Sequence, residues 1–388
     1  MDNSLPGKEE PLNVLFMEQY QSAFINGFKE IKMMQLNELG WSSFFESYFE
    51  EYRSQGYCAM RIVRVNKGKF IACNCEGEFL CEVTGKFIFQ SDGKGSFPTV
   101  GDWVVASVID NEQKAMIHAI LPRKSAFSRK VAGESSDEQV IAANIDTVFI
   151  VTGLDQNFNL RRIERFLSLA WESRALPVVL LNKSDLCQDA EAKKEEVESI
   201  ALGVDVCMIS AKQQSGIDVL NNYLKTAKTI AFIGSSGVGK STIINTLLGT
   251  NRLKVNEVSE LGSRGNHTTA FRELIILPSG CMVIDTPGMR EVQVWGDETG
   301  LKQVFDDIED LSRNCRFNDC AHEKEPGCAV QEAIINTSLD SKHLESYLKL
   351  KKEFAYLSDR QTMKASAIEK TRWKTISKDA KKIKKKIL

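Results

Sequence analysis

The apolar positions of this chain change their period along its length, and the changes divide it. From Tyr57 to Leu121, β-forming residues alternate or cluster in short runs: Ala59 to Val65, Lys69 to Cys75, Phe79 to Val83 and Trp103 to Val108. Asn66-Lys67-Gly68, Glu76-Gly77 and the glycine-rich stretch Ser91 to Gly95 separate the runs, a pattern that predicts short strands joined by turns. About five such strands in so short a segment suit a small barrel of the OB or SH3 kind. Beyond a polar stretch, Gly133 to Gln139, buried-strand runs at Thr147 to Val151, Val178 to Leu181, Val204 to Ile209 and Thr229 to Ile233 alternate with helical patterns at Leu160 to Arg174, Ala190 to Ile200 and Ile217 to Ala227. That alternation predicts a doubly wound, mostly parallel sheet. Past Gly288 the strand signals stop, and the remainder reads as helices around one cysteine cluster.

A length of 388 residues exceeds a single core, so two or three domains are expected. The boundaries read from the pattern are an N-terminal extension 1–56, a barrel 57–122, a linker 123–139, an α/β domain 140–300 and a helical domain 301–388. The formal charge of -2 hides a basic end: Lys374 to Leu388 holds seven lysines and one aspartate. Arg61, Arg64, Lys67 and Lys69 in the first hairpin, with Arg123, Lys124, Arg129 and Lys130 after the barrel, add a second basic group. A solvated surface or a polyanion partner accounts for either group, and a barrel with a basic hairpin is a common holder of RNA. No run of roughly 18 apolar residues predicts a membrane span, and Met1 to Pro11 lacks the pattern of a signal peptide. A cytoplasmic protein is expected, where ten cysteines would stay reduced and favour metal over disulfides.

Three motifs carry chemistry, in an unusual order. Gly234-Ser235-Ser236-Gly237-Val238-Gly239-Lys240-Ser241 fits GxxxxGKS between an apolar strand and a helix-like run from Thr242 to Leu248. In such a loop backbone N–H groups wrap phosphates, Lys240 reaches the β and γ phosphates, the Ser241 hydroxyl ligates magnesium, and Thr242 lies near the α phosphate. Asp285-Thr286-Pro287-Gly288 follows a strand, which suits a magnesium-side aspartate and a γ-phosphate-sensing glycine. Upstream of both, Asn182-Lys183-Ser184-Asp185 ends a strand, and Asp185 can accept from guanine N1–H and its exocyclic amine, groups adenine cannot offer. Lys183 would pack over the base, Asn182 would tie the loop to the phosphate loop, and Ser210-Ala211-Lys212 matches the loop whose backbone reads guanine O6.

The nucleotide is therefore expected to be GTP with Mg²⁺, in a site whose parts run in circularly permuted order. Thr269, or else Thr268, would cap magnesium and the γ phosphate from a Gly/Ser/Thr-rich loop. Met289 stands where many GTPases place a water-orienting glutamine, so His267 or a partner is the candidate for that work. Cys315, Cys320, His322 and Cys328 form a complete tetrahedral zinc set, closed and structural. Cys73, Cys75 and Cys81 alternate with strand residues and read as strand-face thiols.

With these residues assembled, the chain resembles the RsgA family, also called YjeQ or YloQ, of circularly permuted bacterial GTPases. The resemblance covers about residues 57 to 360. It rests on Gly101-Asp102-Trp103-Val104, Ala142-Ala143-Asn144-Ile145-Asp146, the motifs above, His267-Thr268-Thr269, and Asp319-Cys320-Ala321-His322 with Glu325-Pro326-Gly327-Cys328. It implies an OB barrel, a permuted GTPase domain and a zinc domain that act on the 30S ribosomal subunit and its 16S rRNA late in maturation, as a monomer whose GTP hydrolysis the subunit stimulates. Ala270, where the family often has a third threonine, and the segment before Leu39 depart from the pattern. A permuted GTPase of the large subunit and an RNA-binding protein with a structural GTP site are the alternatives. The order of the motifs also suggests a spatial expectation, with DTPG beside the zinc domain and the base-reading half beside the barrel.

Overall fold

The computed structural model of the chain describes residues 34–66, 68–91, 97–109, 112–130, 138–250, 252–253, 272–285 and 299–355. Five strands close a barrel: β1 (Cys58–Asn66), β2 (Lys69–Asn74), β3 (Gly77–Val83), β4 (Trp103–Ile109) and β5 (Lys114–Ile120), paired in the order β1-β2-β3-β5-β4 and back to β1. Alternate residues fill its interior, among them Met60, Ile62, Phe70, Phe79, Val104 and Ile117. The fifth strand, Lys114–Ile120, was not among the predicted runs, because alanine, lysine and histidine dilute its alternation. Residues 34–56 pack on the outside of this barrel. In α1 (Ser43–Arg53), Phe45 and Phe49 are buried four residues apart, on one helical face. Both join Trp41 and Trp103 in an aromatic cluster whose tryptophan centroids lie 4.7 Å apart. A short helix, α2 (Gly85–Gln90), follows β3.

After the barrel, β6 (Ala126–Lys130) and β7 (Glu138–Ala143) form a hairpin, so the segment read as a linker carries a strand. Next come β8 (Thr147–Gly153), α3 (Leu160–Glu172), β9 (Leu176–Asn182), α4 (Ala190–Ile200), β10 (Asp205–Met208), β11 (Thr229–Ile233), α5 (Lys240–Leu248), β12 (Arg272–Ile276) and β13 (Met282–Asp285). They pair in the order β10-β9-β8-β11-β13-β12; all neighbours are parallel except β12, which runs antiparallel to β13. Both faces are covered: Val148, Ile150, Ala231 and Ile233 point into one apolar cluster, while Phe149, Val151, Ile230 and Phe232 point into another. The helix expected over Ile217 to Ala227 is only a 3₁₀ turn, Ile217–Asn222. Asn221 and Asn222 favour side-chain bonds to the backbone over helix continuation, and Ala227 turns at φ 67.

The barrel and the sheet are joined, and cations read as a basic surface do much of the joining. Arg61 is 1% exposed; its Nη2 donates to Thr229 Oγ1 at 2.8 Å, and its Nη1 to the Leu39 carbonyl and, at 3.3 Å, to Met282 Sδ. Burial pulls its pKa down to about 10, still charged at neutral pH. Arg123 forms a two-pronged pair with the fully buried Asp102, 2.7 Å on each side. Arg64 pairs with Glu273 at 2.8 Å, and Lys124 Nζ donates to Ser42 Oγ at 2.8 Å. These four are therefore structural cations. Arg61 and Arg64 lie on β1 and Arg123 and Lys124 in the loop after β5, and neither strand alternation nor loop composition tells a solvent-facing position from a junction. Lys69 is exposed, whereas Lys67 and the Lys374 to Leu388 tail lie outside the described residues, and the side chains of Arg129 and Lys130 are not described.

Spatial neighbours also differ from chain neighbours. β1 leaves the barrel to pair with β12, Arg64 opposite Glu273, so the barrel adjoins the DTPG side of the sheet. The C-terminal helices α6 (Thr299–Val304), α7 (Asp306–Ser312), α8 (Ala329–Ile335) and α9 (341–355) form a module that packs instead on α3, in the half of the sheet that carries Asn182 to Asp185. Gly300 N–H donates to Glu172 Oε2 at 3.2 Å, Arg165 pairs with Glu353 at 2.7 Å, and Arg161 pairs with Asp340 at 2.7 Å. The expected adjacency is thus reversed: the antiparallel return of β12 gives the barrel its edge, and the helical module folds back over α3. Among the described residues no helix is long and apolar enough to cross a membrane.

His343, 6% exposed, sits in this helical interface. Its Nδ1 lies 2.7 Å from Glu164 Oε1 and its Nε2 3.3 Å from Asp307 Oδ1, with the Phe305 ring beside it and Arg161 Nη1 3.3 Å from Nδ1. Burial penalises its imidazolium, but Asp307 and Glu164 outweigh that penalty and hold the pKa up at about 9. A histidine raised above its unfolded value of about 6.5 stabilises fully below that pH and loses its contribution as pH rises through 9. His343→Gln is accordingly expected to lower Tm most at pH 6.5 and to approach wild type at pH 9.5, followed by circular dichroism. An equal Tm gap at both pH values would contradict this assignment.

Candidate functional site

The parallel strands end on one edge of the sheet, and the predicted motifs lie there together. Strand order reverses between β8 and β11, the switch point where α/β proteins open a crevice at the carboxyl ends of their strands. Asn182 closes β9, Ser210 follows β10, Gly234 follows β11, and Asp285 closes β13. Residues distant in sequence thereby share one crevice.

Asn182 holds three of the segments. It is 2% exposed; its Nδ2 donates to the Val238 carbonyl at 2.8 Å, and its Oδ1 accepts from Ala211 N–H at 3.0 Å. Gly239 makes this approach possible, because a Cβ there would lie 2.2 Å from Asn182 Nδ2 and its φ of 99° suits glycine. Gly234 is confined in the same way, with the Val151 carbonyl 2.2 Å from a hypothetical Cβ. Between them Ser235, Ser236, Gly237 and Val238 turn into α5, whose N-cap is Gly239. The first amides of that helix point toward the loop, the arrangement that receives phosphate. Lys240 Nζ donates to the Gly234 and Ser235 carbonyls at 2.7 and 2.6 Å, so its ammonium lies over the loop. Ser241 and Thr242 occupy the first turn of α5.

In the base-reading half, Ser184 and Asp185 lie in a 3₁₀ turn, Ser184–Leu186. Ser210 Oγ donates to Asp185 Oδ1 at 2.6 Å and accepts from Gln213 N–H at 3.2 Å. This fixes the Asp185 carboxylate against the loop after β10, a contact that a backbone-only reading of Ser210-Ala211-Lys212 missed. Lys212 is exposed. Lys183 adopts a left-handed backbone, φ 64, and its Nζ pairs with Asp155 Oδ2 at 2.6 Å. Asp155 was also missed, although its place just beyond β8, on the site edge of the sheet, is a signal the strand pattern supplies. His267, Thr268, Thr269, Thr286, Gly288 and Met289 lie outside the described residues.

The cysteine cluster lies in the helical module. Sγ of Cys315, Cys320 and Cys328 and a ring nitrogen of His322 all fall within 4.8 Å of one another. Cys315 Sγ is 3.9 Å from Cys328 Sγ, and His322 Nδ1 is 3.7 and 3.5 Å from these two sulfurs. Sulfurs bound to one zinc at about 2.3 Å in a tetrahedron stand about 3.8 Å apart, so this donor set fits the ion. Burial would lift the Cys315 thiol, but the N–H groups of Val330 and Ala329 at the start of α8 outweigh it and lower its pKa, favouring the thiolate a metal needs. Cys73 and Cys81, by contrast, are buried strand thiols pushed up to about 12 by burial, and Cys75 is exposed.

Comparison with known proteins agrees with this geometry. A sequence model of the family described as RsgA GTPase matches residues 120–295. The chain is 43% identical over 352 residues to a small ribosomal subunit biogenesis GTPase RsgA of Opitutus terrae, covering 88% of this chain and 96% of that one. It is 40% identical over 359 residues to the protein of the same description in Syntrophotalea carbinolica, covering 90% and 98%. Its fold is similar to the crystal structure of YjeQ from Thermotoga maritima, with a TM-score of 0.58, 27% identity and coverage of 77% of this chain and 99% of that one.

The zinc geometry generates a direct test. About one zinc per chain is expected by elemental analysis, and a strong chelator is expected to remove it and to loosen the helices around α8. A chain without zinc whose near-UV dichroism and Tm do not respond to chelation would contradict the site.

Proposed function

The chain belongs to the RsgA family of GTPases, and on that premise we propose that it hydrolyses GTP to GDP and phosphate while bound to the small ribosomal subunit during the subunit's maturation. The observation that carries the proposal is the convergence, through Asn182, of the GxxxxGKS loop with the NKSD and Ser210-Ala211-Lys212 loops, which the chain encodes in permuted order. In this reading Gly234 to Thr242 cradle the phosphates, and Lys240 exchanges its contacts with the Gly234 and Ser235 carbonyls for phosphate oxygens. Asp185, oriented by Ser210, accepts from guanine N1–H and the exocyclic amine, Lys183 covers the base, and the Ser210-Ala211-Lys212 backbone reads O6.

Ser241 and Asp285, with Thr269, would hold Mg²⁺, which neutralises developing phosphate charge when bound. Ser241 supplies its hydroxyl from the first turn of α5, and Asp285 its carboxylate from the end of β13. Gly288 would sense the γ phosphate, and His267 would orient the attacking water in place of the glutamine that Met289 replaces. The zinc in the Cys315, Cys320, His322 and Cys328 set is structural. The division into barrel, permuted GTPase domain and zinc domain belongs to the same proposal, as do binding to 16S rRNA, a cytoplasmic location and a monomeric state.

The test is GTP turnover measured with the chain alone, with 30S subunits and with 50S subunits. Stimulation of about tenfold or more is expected with 30S and little with 50S, and Lys240→Ala is expected to lose about two orders of magnitude. Equal turnover in all three conditions would overturn the 30S assignment. A Lys240→Ala protein as active as wild type would overturn the enzymatic one.

A further inference from the structure

Lys183 is a non-glycine residue in left-handed backbone, a conformation that costs free energy unless its surroundings impose it. What surrounds it is the turn after β8. Leu154 N–H donates to the Asn182 carbonyl at 2.8 Å, which stitches this turn to the residue before Lys183. One residue on, Asp155 Oδ2 accepts from Lys183 Nζ at 2.6 Å, both side chains being 21% exposed. The other oxygen, Oδ1, accepts from Asn157 N–H at 2.9 Å, so the carboxylate is fixed at both ends. Burial would lift the Asp155 carboxyl, but Lys183 and the Asn157 N–H outweigh it and hold its pKa below the ordinary carboxylate value. The Asp155 carboxylate is therefore ionised at neutral pH. The turn then runs into α3, whose N-cap Asn159 accepts from Arg162 N–H.

We propose that Asp155 is a positioning residue for guanine recognition: it anchors the Lys183 ammonium at the rim of the crevice, so that the lysine's alkyl chain lies flat across the face of the base. This rests on the reading of Asn182 to Asp185 as the guanine loop. An unanchored lysine with four rotatable bonds would sample many rotamers, and ordering it on ligand binding would cost affinity. Anchored in advance, its stem already lines the base face. Asp155 touches neither phosphate nor the hydrolytic water in this arrangement, so it governs how tightly nucleotide is held and not how fast the γ phosphate leaves.

The experiment compares wild type, D155N, D155E, K183A and the double variant D155N/K183A in the full chain, with Kd for GDP and ADP by titration and kcat and KM for GTP. D155N is nearly isosteric and keeps an acceptor for Asn157 N–H, and equal Tm confirms that the fold is retained. D155N is expected to raise the GDP Kd and the GTP KM by about three- to tenfold with kcat unchanged, the range for a part-exposed pair that orders a contact. D155E is expected to recover part of the loss, and D155N on the K183A background to add nothing further. Unchanged GDP affinity in D155N, a fall in kcat at constant KM, or effects of D155N and K183A that simply add would each overturn the proposal while leaving the guanine loop intact. If K183A itself leaves GDP affinity and preference over ADP unchanged, the guanine-loop reading fails instead.

Discussion

The site depends on one buried carboxamide. Asn182 binds the GxxxxGKS loop through Val238 and the loop after β10 through Ala211, and so fixes the distance between the loop proposed to hold phosphates and the loops proposed to read the base. Connectivity does not supply this distance. In a permuted chain Asn182 precedes the phosphate loop by more than fifty residues, and the two meet only because β9 and β11 flank β8 in the sheet. Two hydrogen bonds from a residue 2% exposed, facing a glycine that leaves no room for a Cβ, convert that neighbourhood into a defined geometry.

The flanking modules attach to opposite halves of the site. β1 of the barrel extends the sheet at β12, where Arg64 opposes Glu273 and Glu273 opposes Asp285, placing the three in one row across the strands. Glu273 also pairs with Arg252 at 3.0 Å, beyond the C-terminal end of α5. The helical module instead grips α3 through Arg161, Glu164 and Arg165, and α3 follows the turn that carries Asp155. The barrel thus adjoins the side that carries Asp285, and the helices with the cysteine cluster adjoin the side that carries Asn182 to Asp185. A ligand held by both modules at once would span the nucleotide crevice.

Much of this was legible in the sequence, for identifiable reasons. GxxxxGKS, NKSD and the cysteine set are local patterns whose chemistry follows from spacing, and the structure brings their described residues together. Strand alternation revealed both the barrel and the doubly wound sheet. The ionic junctions were not legible. Arg61, Arg64, Arg123 and Lys124 read as a basic surface, because a one-dimensional pattern carries no information on which strand face or loop meets another part of the fold. Asp155 and Ser210 escaped for a related reason: each acts on a motif residue from a different strand end. The 3₁₀ turn Ile217–Asn222 was read as a longer helix because its apolar spacing was adequate while its asparagines were not.

The clamp at Asn182 is tested most directly by the affinity of Asn182→Ala for GDP, measured by calorimetric titration beside its Tm. Loss of both hydrogen bonds is expected to weaken GDP binding by about tenfold or more, since the two loops then lose their fixed spacing. The sheet should still fold, with a reduced Tm, because the alanine Cβ fits where the asparagine Cβ was. Wild-type affinity for GDP in that variant would contradict the central role given to Asn182.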